Sequence, residues 1–154
     1  MNLAMTFIGG VLATAGAATT HATTVAIKYM IAGILYSKAT ITGGATPVVD
    51  GNTGLAFDPI PADSIGCFVW GLDAAGAVSL YQGDILTVDG STDIAEVFPQ
   101  PPALPGGVAP FGYAVVQTNG AASDFVIGTS NWNATGVTVG VHDIGTIPAR
   151  PLGA

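Results

Sequence analysis

The sequence predicts an all-β fold, an antiparallel β-sandwich or small barrel with Pro/Gly-rich loops and an extended N-terminal arm. Three observations predict it. Short runs of β-branched and aromatic residues recur between turn signals, helical periodicity is almost absent, and 22 Gly and 10 Pro punctuate the chain. At 154 residues the chain suits one domain, or one domain plus an arm.

The arm is read over residues 1–24. Ala13 to Thr24 is an Ala/Thr/Gly segment with too few large side chains to build a core. Met5, Phe7, Ile8, Val11 and Leu12 offer a short apolar anchor ahead of it. An arm that orders on a neighbouring subunit fits both facts, and a first strand of the domain is the alternative. The segment lacks the basic start of a signal peptide and is too weakly hydrophobic for a membrane helix.

The single domain is read over 25–154. Val25–Ile31 and Ile34–Thr40 spell a hairpin around Ala32-Gly33. A long loop follows from Gly43 through Asp50-Gly51-Asn52 to Asp58-Pro59-Ile60-Pro61, whose breakers exclude a helix or central strand. The next hairpin runs from Gly66 to Gly83 around Asp73-Ala74-Ala75-Gly76, where Asp opens and Gly closes a four-residue turn. Gly83–Gly90 adds a strand, and Thr92–Phe98 suits one or two helical turns capped by Ser91 or Thr92. Five prolines between Pro99 and Pro110 make that stretch a stiff, extended connection. Phe111–Thr118 is a strong strand, the chain returns through Phe125–Ile127, and Val137–Asp143 is the last strand before a tail.

Composition bears on function. Only 8% of the residues are charged, against roughly a quarter in ordinary soluble domains, while 49% are hydrophobic. Such a surface is poorly built for a free monomer, so the chain is expected to work inside an assembly that covers its strand edges. A net charge of −7, with Lys28, Lys38 and Arg150 the only cations, leaves no basic patch. Nucleic acid and anionic membranes are therefore poor partners.

The candidates for chemistry are few. A lone Cys67 in an apolar run serves as a small buried hydrophobe, and it excludes a disulfide framework or thiolate-rich zinc site. His21 and His142 have no metal-ligand spacing, and His142 and Asp143, adjacent on a strand, point to opposite faces. Most acids occupy turn spellings, and Asp84, Asp89, Ser91, Asp93 and Glu96 fail the order of a calcium loop. No catalytic, metal-binding or cofactor-binding residue is assigned. The residues expected at an interface are Met5, Phe7, Ile8, Val11 and Leu12 of the arm, Pro101, Pro102 and Pro105 of the connection, and Trp132, read as an exposed loop aromatic.

The order of several motifs adds a resemblance. Tyr29-x-Ile-x-Gly-x-Leu-Tyr-Ser-Lys-Ala39 leads to Pro59-Ile-Pro-Ala62 and then to Leu72-Asp-Ala-Ala-Gly76. Leu104-Pro-Gly-Gly-Val-Ala-Pro-Phe-Gly-Tyr-Ala-Val-Val116 comes next, before Phe125-Val-Ile-Gly-Thr129 and Gly136-Val-Thr-Val139. Over about residues 29–143 this resembles the small head-decoration, or cement, proteins of tailed bacteriophages. The resemblance implies a β-rich, non-enzymatic homotrimer that binds the major capsid protein on the outside of the expanded head. The arm would then reach onto the shell or a neighbouring copy, and the Pro-rich connection would stiffen a trimer contact. Two rivals make different demands. A carbohydrate- or receptor-binding fibre module needs an exposed aromatic cluster, and an extracellular hydrolase needs a polar pocket where a carboxylate faces His142.

Overall fold

A computed structural model describes residues 4–14, 19–88, 98–122 and 124–144. The strands are β1 (Ala4–Ile8), β2 (Leu12–Thr14), β3 (Thr20–Thr23), β4 (Ile27–Ile31), β5 (Ile34–Lys38), β6 (Gly44–Ala45), β7 (Ser64–Leu72), β8 (Val78–Thr87), β9 (Ala109–Thr118) and β10 (Val137–Asp143). They form a front sheet β1-β4-β5, a back sheet β10-β9-β7-β8 and a small side sheet β2-β3-β6, with antiparallel pairing throughout. The described chain is all-β and sandwich-like.

Periodicity explains which strand sits where. β4 alternates, with Ile27, Tyr29 and Ile31 buried and Lys28 exposed, as a strand with one wet face must. β7 is buried along its whole length because it is central in its sheet and covered on both faces. Its even positions, Phe68, Trp70 and Leu72, join Ile27, Tyr29, Ile31, Phe111 and Phe125 in the main core. Fully burying such side chains contributes about 1.5–3 kcal/mol each. Its odd positions belong to the other face, where Ile65 clusters with Val88 and Val115.

That other face is covered by the Pro-rich connection and the loop after β6. Asp84 N–H donates to Gln100 O at 3.2 Å, and a Cβ on Gly83 would lie 3.1 Å from Pro102 Cδ. Asp50 bridges in parallel to Leu80 on the free edge of β8, and its Oδ1 accepts from Gln82 N–H at 3.2 Å. Asn52 Nδ2 donates to Ala103 O at 2.9 Å, tying loop to connection. The connection thus runs without regular structure across the back sheet, held by single hydrogen bonds rather than a ladder.

Both hairpins form as expected. Asp73 Oδ1 accepts from Ala75 N–H at 2.8 Å and Ala77 N–H at 2.9 Å, and Gly76 takes a φ of 76°. At the tip of β4–β5, Ala32 (φ 51°) and Gly33 (φ 83°) are both left-handed, the geometry that favours Asn-Gly. The strand expected over 83–90 is the continuation of β8 to Thr87 past an irregularity opposite Gly66–Phe68. The helical turns expected over 92–98 lie almost wholly outside the described residues, as do Asp89, Asp93, Glu96 and the tail from 145.

The extended arm over 1–24 is corrected. Among its described residues, 4–8, 12–14 and 20–23 are strands of this chain, which is the alternative reading: β1 pairs with β4, β2 pairs with β3, and β3 pairs with β6. Met5, Phe7 and Ile8 lie on β1, and Thr6 is buried with its hydroxyl donating to Pro110 O. Short strands that bury only alternate residues need few large side chains, which is why an Ala/Thr/Gly segment can pair without a core of its own.

One buried group makes the side sheet sensitive to acid. His21 on β3 is 2% exposed beside Trp70, neither ring nitrogen has a hydrogen-bond partner among the described residues, and burial alone holds its pKa below the ordinary 6.5. Below that pH the unfolded chain takes up a proton that the folded chain refuses. Stability is therefore full above about pH 6.5 and falls on acidification, with a limiting slope of about 1.4 kcal/mol per pH unit. His21→Leu is expected to flatten this part of the profile in urea titrations between neutral pH and the onset of carboxylate titration. An unchanged slope would remove His21 as the cause.

Candidate interaction surface

Among the described residues, exposed apolar side chains gather on the outer face of the front sheet. Register places Met5, Met30 and Leu35 in one cross-strand row, and Ile8, Lys28 and Ser37 in the next. Phe7 (38% exposed), Ile8 (48%) and Leu35 (71%) stand open to solvent, while Met5 and Met30 are half-buried. Beyond Ile8 the chain turns through Gly10, whose carbonyl accepts from Val25 N–H at 3.1 Å, so the exposed Val11 and Val25 extend the apolar surface past the end of the sheet.

Val11 is also strained. Its φ of 55° is left-handed, which a β-branched residue adopts at a cost of about 1–2 kcal/mol. Its amide is fixed by a 3.2 Å hydrogen bond donated to Asp143 Oδ1, which pins the turn after β1 to the end of β10. Val11→Asn keeps that amide and suits the conformation, so the thermal midpoint is expected to rise. A fall would mean that the Val11 side chain makes packing contacts that outweigh the strain.

Charge divides the molecule in a way that composition alone conceals. All ten Asp and Glu lie between residues 50 and 143, whereas the first 49 residues carry two Lys and no acid. Both of these Lys are on the front sheet. Lys28 Nζ donates to Ser37 Oγ at 2.6 Å on the outer face, and Lys38 Nζ donates to Gly76 O at 2.9 Å. Neither bond is to a carboxylate. The distribution was visible in the sequence, but it acquires meaning only once 27–38 is seen to be one hairpin of the front sheet, with Lys28 on its outer face.

The expected interface residues divide accordingly. Met5, Phe7, Ile8 and Val11 come together on or beside the front face. Pro101 and Pro105 are exposed on the connection, whereas Pro102 is half-buried near Gly83. Two expectations are corrected. Leu12 is 6% exposed and packs into the main core, close to Gly112. Trp132 is 4% exposed, flanked by Trp70 and Phe125 at ring separations of 6.1 and 5.8 Å, and its Nε1 donates to Thr20 O at 3.0 Å. Its polar neighbours in sequence suggested a loop tip, but the loop folds back over the open side of the core.

Groups with chemical potential have other partners. The His142 ring stacks on Tyr113 at 4.7 Å, while Asp143 receives the Val11 amide, so the adjacent pair serves separate contacts. Burial pushes the Cys67 thiol up to about 12, far from a reactive thiolate. No group of three potential metal ligands occurs among the described residues. Phe98, 53% exposed, meets Tyr113 edge-on at 6.1 Å and extends the Tyr113–His142 stack into an aromatic row. Comparisons with known protein families, curated proteins and solved structures find no match for this chain.

Proposed function

We propose that the chain is a non-enzymatic structural subunit, a cement or decoration protein that binds the outer surface of a tailed-phage head through the major capsid protein. The observation that carries this reading is the outer face of the front sheet, where apolar side chains gather with Lys28 as the one charge. Such a face gains by burial against another protein. The motif order that resembles head-decoration proteins supports the same reading, and on it the chain belongs to the virion exterior as a homotrimer. Nucleic acid and membrane are not partners in this account, since both favour basic surfaces that this chain lacks.

The test is cosedimentation with expanded shells assembled from the major capsid protein encoded in the same genome. The expected result is saturable pelleting at a fixed ratio to shell subunits. A chain left in the supernatant at every concentration would overturn the reading. A carbohydrate- or receptor-binding module is the second reading, favoured by the row Phe98, Tyr113 and His142. It predicts glycan binding that Tyr113→Ala abolishes.

A further inference from the structure

We propose that the free edge of β5 takes up an extended segment of the shell protein as a fourth strand of the front sheet, antiparallel to β5 and spelling acid-x-apolar. This rests on the shell-binding reading above and names the mode of contact at the border of that face.

Backbone geometry decides which groups the edge offers. β4 and β5 are joined by the two-residue turn Ala32-Gly33, and in such a hairpin the residues flanking the turn exchange both backbone hydrogen bonds. Ile31–Ile34 is therefore a bonded pair, and alternation makes Tyr29–Tyr36 and Ile27–Lys38 bonded pairs too. The N–H and C=O groups of Leu35 and Ser37 then point away from β4. Among the described residues no other backbone group bonds to them, and β4 is the only strand that β5 adjoins. The opposite edge of the sheet differs, because β1 packs on β9 and Thr6 Oγ1 donates to Pro110 O. β5 also lacks the usual guards of an edge. It contains no Pro, its register with β4 has no bulge, and its one charge, Lys38, is held to Gly76 O.

Side chains beside the edge select the partner. The row Ile8, Lys28, Ser37 ends at β5, and the hydrogen bond from Lys28 Nζ to Ser37 Oγ carries the ammonium over β5 toward the edge. β1, β4 and β5 hold no carboxylate for it. An added strand lies about 4.8 Å beyond β5, so an Asp or Glu opposite Ser37 falls within reach of Lys28. The neighbouring row ends in Leu35, 71% exposed, whose opposite residue is apolar. Antiparallel strands run in opposite directions, so the acid precedes the apolar residue by two positions. Two β5 edges paired with each other would supply no carboxylate to either Lys28, which makes another protein's segment the better occupant. Main-chain bonds then give affinity and the alternate side chains give specificity.

The experiment is hydrogen exchange, read residue by residue, on the full chain free and bound to expanded shells of the major capsid protein encoded in the same genome. Pelleting affinities of Ser37→Ala, Ser37→Pro and Lys28→Glu are measured alongside. The Leu35 and Ser37 amides are expected to exchange freely in the unbound chain and to become protected on shells, while the Tyr36 amide, already bonded to β4, changes little. Ser37→Pro removes only an outward N–H, which an edge strand tolerates, and a thermal midpoint near that of Ser37→Ala checks its folding. Its shell affinity is expected to fall about tenfold against Ser37→Ala, and Lys28→Glu is expected to weaken binding in the same assay. Shell-bound chain whose Leu35 and Ser37 amides exchange as in the free chain, or a folded Ser37→Pro that binds like Ser37→Ala, would overturn the inference and leave the functional reading standing. Protection that grows with the concentration of the chain alone would assign the edge to a second copy and overturn it as well. A chain that binds no shells at all would sink both.

Discussion

Replacing Trp132 by Ala is expected to destabilise the chain by about 3–5 kcal/mol, the range for truncating a buried aromatic. The indole fills the space between Trp70 and Phe125, and its Nε1 bond to Thr20 O fastens the 125–136 segment to β3. Truncation opens a cavity and leaves the Thr20 carbonyl without that donor. Trp132→Phe keeps most of the packing and loses the bond, so it should recover the larger part of the stability. Urea unfolding separates the two contributions, and a loss below about 1 kcal/mol for Trp132→Ala would place the ring at the surface after all.

The second large effect is expected at Gly83. A Cβ there would collide with Gln100 O and lie 3.2 Å from Pro102 N, so backbone rather than a flexible side chain must move. Gly83→Ala should therefore lift the connection from the back sheet, breaking the Asp84–Gln100 hydrogen bond, at a cost of about 1–3 kcal/mol. The thermal midpoint reads the cost. The rate at which a thiol reagent modifies Cys67, buried in the same sheet, reads the loss of cover. An unaltered midpoint and an unreactive thiol together would show that the connection does not depend on this close approach.

The fold was legible where a residue's job is local. Asp73 and Gly76 are required by their turn whatever surrounds them, and Val137–Asp143 has the bounds that its composition suggests. What the sequence concealed depends on cover. Trp132 among Ser, Asn and Thr reads as a loop aromatic because nothing in those neighbours records that the loop closes over Trp70. Leu12 reads as an anchor because its closeness to Gly112, far along the chain, has no local trace. The Ala/Thr/Gly segment lacks the large residues of a core, yet β2 and β3 pair through their backbones and bury only Leu12, His21 and Thr23.

The candidate surface was half legible for the same reason. Met5, Phe7 and Ile8 stand out as apolar residues near one end of the chain, but their rows with Met30, Leu35 and Lys28 exist only through the register of β1-β4-β5. The confinement of every carboxylate side chain to positions 50–143 was readable without a structure, and it gains significance from the placement of Lys28 on the front face.

The measurement that tests the central claim most directly is the disruption temperature of expanded shells, followed by light scattering, with and without saturating chain. A cement protein that buries apolar surface across shell subunits predicts a higher temperature in its presence, rising with occupancy until the sites fill. Shells that melt at the same temperature at every ratio would contradict the account.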